Sequence, residues 1–150
     1  MGLFNLLLRI AGADRQAVEI KRRAEHGDVE AQITLGTAYL KGLGVPQDRN
    51  AAVAWTRKAA ETGHPKGQCN LGYFYLMGIG LPQDYQEAMN WYKKAAAQNY
   101  ARAQTNIGKM YMNGDGVRRD PQEAIKWFKA ASAQGDKEAL EIVTRLTRQN

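Results

Sequence analysis

Few side chains in this 150-residue sequence could act as a nucleophile, a base or a metal ligand, and they lie far apart. The two histidines, His26 and His64, are 38 positions apart, so no single turn of helix brings them together. The one cysteine, Cys69, has no histidine placed near it by a recognisable motif, although a catalytic thiol needs an adjacent base. Two distant imidazoles and one thiol are also too few ligands for a zinc site. We therefore expect no catalytic residue, no metal site and no cofactor.

A second candidate chemistry is phosphate binding, because Gly-x-Gly occurs at 42–44, 78–80 and 114–116. A dinucleotide-binding loop of this kind follows a β-strand and opens a helix. In this sequence the glycines follow helical patterns, and no strand pattern precedes them. The aspartates that come next, at 48, 84 and 120, suit the N-cap of a following helix. The pattern thus predicts helix-turn-helix connections instead of a phosphate site.

Composition and charge exclude several classes of protein. The 21 Lys and Arg against 15 Asp and Glu give a formal charge of +6, but the longest basic run is only Lys21-Arg22-Arg23. Such a run is typical of a solvated helix face, so weak electrostatic binding of nucleic acid is kept only as an alternative. One cysteine cannot form an intrachain disulfide, and no apolar run approaches the roughly 20 residues of a transmembrane helix. An integral membrane protein is therefore not expected.

An internal repeat of 36 residues organises the chain. Several residue types recur at the same position in three successive units, and we call each such position a register. Asn99 stands where other units have a glycine at 27, 63 and 135, and asparagine is the usual alternative to glycine in a left-handed helix cap. The strictest registers are Gly36, Gly72 and Gly108; Tyr39, Tyr75 and Tyr111; Gly42, Gly78 and Gly114; Asp48, Asp84 and Asp120; Ala52, Ala88 and Ala124; Trp55, Trp91 and Trp127; and Ala59, Ala95 and Ala131.

Each unit predicts two helices. The first spans about residues 29–41, with Ala31 and Leu35 on its apolar stripe, and it ends where Gly42 opens a turn. The second helix starts from the aspartate cap, and in two units a glutamate follows at the third helical position, as in a capping box. The first helix of the second unit is expected to begin at about Pro65.

The glycine inside each first helix needs a packing explanation, because glycine costs nearly 1 kcal/mol against alanine in a helix interior. The simplest account is a close approach of the first helix to the second at Gly36 and its equivalents. We expect the large tryptophan and tyrosine rings of the repeat to fill the space at the open ends of each pair. Stacking of successive pairs would then cover the apolar faces.

The repeat resembles a known family. Ala31 to Asp48 reads Ala-Gln-x-x-Leu-Gly-x-x-Tyr-x-x-Gly-x-Gly-Val-x-x-Asp, and Ala-x-x-Trp-x-x-Lys-Ala-Ala follows from Ala52. This pattern is similar to the Sel-one-like (Sel1-like) repeat, a branch of the tetratricopeptide-like helical repeats. The resemblance implies an all-α solenoid of stacked helix-turn-helix repeats with a right-handed superhelix. Its expected parts, within one structural domain, are N-terminal amphipathic and capping helices at 1–26, repeats at 27–62, 63–98 and 99–134, and a C-terminal capping helix at 135–150.

The segment Met1 to Ala13 is open to more than one interpretation. Leu3, Leu6, Leu7 and Ile10 share one helical face, which predicts a short amphipathic helix folded onto the first repeat. Ala11-Gly12-Ala13 resembles a signal-peptidase site, but the segment has no basic start and a short apolar part. We expect a cytoplasmic location, with a periplasmic or secreted one as the alternative, and a monomer or weak self-association.

The face of each first helix opposite its core stripe varies between units, unlike the core registers. We call its eleven residues the first-helix surface and expect it to form the concave floor of the solenoid. They are Thr34, Thr37 and Lys41 in the first unit, Lys66, Asn70, Tyr73 and Met77 in the second, and Arg102, Asn106, Lys109 and Asn113 in the third.

The family resemblance implies that this surface binds another protein, as an extended peptide or a partner helix. Lys66, Arg102 and Lys109 should make its centre electropositive, which favours an acidic segment or a free C-terminus, whereas Glu30 at the edge should disfavour acid. We thus predict a non-catalytic adaptor or scaffold without specific nucleic-acid binding. The alternative from the resemblance is a hydrolase, because some cysteine-rich relatives are described as β-lactamases, but those chains are rich in paired cysteines.

Overall fold

The computed structural model describes residues 15–148, and the regular structure in this range is entirely α-helical. The predicted helix at 29–41 and the predicted start at Pro65 are both confirmed, while the predictions for Met1 to Ala13 lie outside the described residues. No helix in the described range is long and apolar enough to cross a membrane. The helices are α1 (15–25), α2 (Val29–Lys41), α3 (Arg49–Glu61), α4 (Pro65–Met77), α5 (Tyr85–Ala96), α6 (Ala101–Asn113), α7 (Pro121–Ser132) and α8 (Lys137–Thr147).

Successive helices pack on each other along the chain and form a solenoid of three helix pairs. The pairs are α2 with α3, α4 with α5, and α6 with α7, and each second helix also packs on the first helix that follows it. The alanine registers lie at these contacts: Ala52, Ala88 and Ala124 all have 0% exposure. Their small side chains let the helix axes approach closely. The predicted all-α solenoid is therefore confirmed.

The helical glycines mark the close approach that the sequence predicted. A Cβ added to Gly36 would lie 2.6 Å from the Thr56 hydroxyl oxygen, and one added to Gly72 would lie 2.8 Å from the Tyr92 ring. A Cβ added to Gly108 would lie 2.7 Å from the ring of Phe128 in α7. Any side chain at these positions would collide with the second helix of its own unit, which explains why glycine recurs there.

The rings of Trp55 and Trp127 pack at the edges of buried clusters, and the tryptophan rings do not face the helical glycines. The three rings are only half-buried, and the residues that face the helical glycines lie one position later. Successive side chains on a helix point about 100° apart, so the tryptophan register is turned away from that contact. Trp91 instead lies under an ammonium group, with Lys94 Nζ 3.9 Å from its ring centroid. The fully buried ring of this unit is Tyr92, at 0% exposure.

Aspartate caps begin the second helices, as predicted. The Asp84 carboxylate accepts hydrogen bonds from the backbone N–H groups of Gln86 and Glu87, at 2.9 and 3.0 Å. The reciprocal half of the expected capping box is absent, because the Asp84 N–H donates to the carbonyl oxygen of Tyr75 at 2.9 Å. The same bond joins the two helices of the other units, so the cap also ties the turn to the preceding helix.

The two outermost helices of the described range carry polar residues where inner helices carry small ones. Gln16 and Arg23 of α1 are exposed, and they stand on the registers of alanines that are fully buried in α3, α5 and α7. At the other end, Thr144 of α8 stands on the register of the helical glycines. Polar side chains at these registers are typical of capping helices, whose outer face is exposed to water.

Candidate protein-binding surface

None of the eleven residues of the first-helix surface is buried, since every one is exposed or half-exposed on α2, α4 or α6. Two of them are large and apolar. Tyr73 is 37% exposed and Met77 is 55% exposed, and they lie one turn apart on α4. Most other large apolar side chains in the described range are packed, so this pair is an unusual feature of the middle unit.

Contacts between successive first helices make the surface continuous. Asn106 of α6 lies against α4, with its amide nitrogen 3.7 Å from Cys69 Sγ. Lys66 of α4 reaches back to α2, where its Nζ is 3.4 Å from a Glu30 carboxylate oxygen. The other oxygen of that carboxylate is 3.2 Å from His64 Nε2. The structure thus brings the predicted residues of neighbouring units side by side.

The electrostatics of the surface differ from the expectation of a uniformly positive centre. Two of the three cations invoked have carboxylate partners: Lys66 pairs with Glu30, and Lys109 Nζ lies 2.6 Å from Glu138 of α8. Ion pairs at this exposure leave little net charge. Within the described residues, no carboxylate lies within 4.0 Å of Arg102. The unneutralised positive charge at the centre is therefore on this guanidinium.

A buried polar group that the sequence analysis missed lies beneath the surface. The Tyr92 hydroxyl is buried near the Asn106 amide, but no hydrogen-bond partner lies within 3.5 Å of it among the described residues. Burial raises the pKa of this phenol, with a further rise from the neighbouring Cys69. The register of Tyr92 holds threonine and phenylalanine in the other units, so the repeat gave no signal for it. Its position 20 residues after Gly72 was the available clue, because these two registers face each other in every unit.

The groups considered for catalysis or metal binding do not come together. Burial raises the pKa of the Cys69 thiol to about 11, which keeps it protonated and poorly nucleophilic near neutral pH. Its neighbour is an amide and not a base. His26 is exposed just after α1, with its Nδ1 2.6 Å from the Arg22 carbonyl oxygen, whereas His64 precedes α4. No group of three metal-binding side chains occurs among the described residues.

Comparisons with known proteins identify the repeat. The Sel1 repeat matches residues 29–64, 65–100 and 101–136. These matches keep the 36-residue period and start two residues after the predicted boundaries at 27, 63 and 99. None of the curated proteins compared matches the sequence.

Solved structures of repeat proteins share the fold. A Sel1 repeat protein from Oxalobacter formigenes is 37% identical with a TM-score of 0.74, and the match covers 87% of this chain and 98% of that one. A protective antigen of uropathogenic Escherichia coli with an SLR fold is 41% identical with a TM-score of 0.78; the match covers 82% of this chain but 26% of the antigen, so this chain spans about a quarter of its length. Helicobacter pylori cysteine-rich protein B is 25% identical with a TM-score of 0.66, over 84% of this chain and 96% of that one.

These matches cover more than half of the sequence, and they agree with the helix pairs, the glycine contacts and the aspartate caps of the structure. The fold is typically a non-enzymatic scaffold. The chain therefore belongs to the Sel1 repeat family, whose members generally serve as scaffolds for protein–protein interaction.

Proposed function

We propose that this chain is an adaptor that binds an extended peptide along its first-helix surface, and that the preferred peptide is an acidic segment or a free C-terminus. The observation that carries the proposal is the exposed pair Tyr73 and Met77 in the middle of that surface. Apolar and aromatic side chains left exposed on a stable scaffold are typical of contact sites for a partner.

Polar groups on either side of this pair have the chemistry to bind a peptide backbone. Asn70 and Asn106 each carry one acceptor and two donors, so an amide of this kind can bond both the N–H and the C=O of an extended strand. The Asn106 amide nitrogen lies 3.7 Å from Cys69 Sγ, and the amide is also close to the Tyr92 hydroxyl. Two half-exposed amides on adjacent helices therefore offer matched anchoring points for one chain.

The charge preference rests on Arg102. Its exposed guanidinium has no carboxylate partner within the described range, and a guanidinium fork matches a carboxylate in a bidentate geometry. Lys66 and Lys109 contribute less, because each already faces a glutamate. A peptide carboxylate is thus expected near Arg102, away from Glu30 at the edge.

The hydrolase and nucleic-acid alternatives have weaker support. A β-lactamase-like hydrolase uses a serine in a Ser-x-x-Lys motif, whereas the one serine of this sequence, Ser132, is followed by Ala-Gln-Gly. Nucleic-acid binding would depend on the formal charge of +6, which is spread along the chain. Such binding would weaken steeply with salt and would show no sequence preference.

Binding should be tested with peptides selected on the intact chain from a displayed library of acidic segments and free C-termini. Tyr73→Ala and Arg102→Glu should each weaken the selected peptides at least tenfold, about 1.4 kcal/mol. Both should leave the melting temperature within a few degrees, because neither side chain is buried. Arg102→Glu is preferable to Lys109→Glu, which would place two carboxylates together at Glu138.

The matched controls are Asn90→Ala on α5 and Lys129→Glu on α7, both exposed on second helices. These controls should bind the selected peptides as the parent does. Peptides that bind all four variants equally well would refute the assignment of the site. Failure of the library to enrich any acidic or C-terminal peptide would refute the proposed ligand chemistry.

A further inference from the structure

A cleft of about 520 Å³ lies between α1 and α2, beyond the first complete helix pair. Its apolar lining comes from Ala17 and Ile20 of α1, Ile33 and Ala38 of α2, and Leu43 of the following turn. Polar groups complete the rim, from Gln16, Thr34, Thr37 and Lys66. A cleft of this size, lined mainly by apolar groups, can hold several side chains of a docked segment.

By its registers α1 corresponds to the second helix of a pair. In the inner units the partner first helix occupies the space that corresponds to this cleft, and the described range contains no such helix before α1. Ile20 stands on the register of Thr56, Tyr92 and Phe128, which contact the first helix of their own units. Thr34 stands on the register of Asn106, which contacts the first helix of the preceding unit. The cleft thus presents to solvent two contact surfaces that are covered in the later units.

Leu43, in the turn after α2, also shows that the cleft is uncovered. It is 60% exposed, whereas its equivalent Ile79 packs against the buried cluster that contains Val53 and Phe74. The residue of α1 on the register of Val53 is Ala17, which is too small to cover the leucine. Apolar surface therefore remains available on both walls of the cleft.

We propose that the segment Leu3–Ile10 of the same chain docks into this cleft. Gly80 lies against the start of α3, with an added Cβ 2.5 Å from the Arg49 carbonyl oxygen. The equivalent of Gly80 is Gly44, which lines the cleft, and the equivalent of Arg49 is Ala13. In the described range α1 begins at residue 15 and Gln16 lines the cleft, so the preceding segment is tethered beside it.

The length and pattern of the segment suit the space. Residues 11–14 can span up to about 14 Å, and a helix of eight residues is about 12 Å long. Leu3, Leu6, Leu7 and Ile10 share one face at helical spacing, while Asn5 and Arg9 lie on the other. A tether this short gives an effective concentration near the millimolar range, which favours the chain's own segment over a second copy. The proposal does not depend on the proposed function, although docking would cover Thr34 and Thr37 at one end of the first-helix surface.

Cysteine cross-linking tests the placement. Leu7→Cys combined with Thr37→Cys should form an intramolecular disulfide in dilute, intact protein at least tenfold faster than Leu7→Cys combined with Asn90→Cys, whose α5 position is exposed on another helix. Cys69 is 1% exposed and does not compete. Equal rates for the two pairs would overturn the proposal, and so would a disulfide-linked dimer as the main product, which would assign the cleft to a second copy.

A pair of neighbouring substitutions tests the energetics. Leu6→Asp, on the apolar face, should lower the melting temperature by several degrees and increase binding of a hydrophobic dye, because the cleft would open to water. Asn5→Asp adds the same charge on the opposite face and should change neither quantity. Equal melting temperatures for the two variants would overturn the proposal even if the cross-link forms.

Discussion

Replacing Gly72 by alanine should destabilise the protein, although alanine is the better helix former. A Cβ at this position in α4 would lie 2.8 Å from both Cδ1 and Cε1 of Tyr92 and 3.2 Å from the Ala88 carbonyl oxygen. Carbon atoms in favourable contact are separated by about 3.5 Å or more, so the ring would have to retreat by about 0.7 Å. Tyr92 has 0% exposure and close-packed neighbours, which leave no space for this movement.

Two opposing terms determine the size of the effect. Alanine gains about 1 kcal/mol of helix propensity over glycine. Overpacking in a close-packed core costs about 1–3 kcal/mol. We expect a value near the upper end, because the new methyl group would lie between the Ala88 backbone and the buried Tyr92 ring. We expect a net loss of about 1–2 kcal/mol in urea unfolding, which corresponds to a fall of about 2–8 °C in the melting temperature.

A double-mutant cycle separates the steric argument from other causes. Tyr92→Ala removes every side-chain atom that the new methyl group would strike, so in that background Gly72→Ala should stabilise by up to about 1 kcal/mol. Gly72→Ala should therefore lower the free energy of unfolding when Tyr92 is present and raise it when the ring is removed. If Gly72→Ala is neutral or stabilising in the parent chain, the ring yields easily, and the explanation of the glycine register by close approach is wrong.

Three further expectations follow from the structure. Asp84→Ala should cost about 1 kcal/mol in urea unfolding through the lost cap, and Asp84→Asn should keep most of it. Because burial raises the pKa of the Cys69 thiol from 9.0 to about 11, the unfolded chain ionises first; stability relative to Cys69→Ala should be constant below pH 9 and should fall between pH 9 and 11. Trp91→Ala should cost about half of the roughly 3–5 kcal/mol expected for Tyr92→Ala, since only the tyrosine is fully buried; equal losses in urea unfolding would contradict this.

The sequence was sufficient for features that depend on local chemistry. Asp84 could be assigned as a cap because an aspartate before a helix bonds N–H groups only two and three residues away. Asn99 could be assigned to left-handed backbone, and its φ is 60°. The helical glycine contact was also predictable, because glycine in a helix interior must be compensated by packing.

Features that depend on contacts between distant helices were not predictable in the same way. The pairing of Lys109 with Glu138 depends on α6 and α8 lying side by side, so the residue types alone overstated the positive charge of the surface. Tyr92 escaped notice because its register varies, even though its ring is the most buried aromatic group of its unit. Sequence repetition identifies positions where every unit uses the same residue type. It does not identify positions, such as that of Tyr92, where each unit fills the same space with a different side chain.

Thr144 has a consequence for how such a protein can lengthen. Any helix paired with α8 in the manner of the inner units would have to pass where the methyl and hydroxyl of Thr144 stand, because the equivalent position in every complete unit admits no side chain. An inserted copy at an inner junction would meet glycine and alanine on both sides, whereas a helix paired closely with α8 would require a smaller residue than threonine at position 144. Longer arrays of this repeat should have glycine on the register of Thr144 wherever a helix pairs with the equivalent of α8.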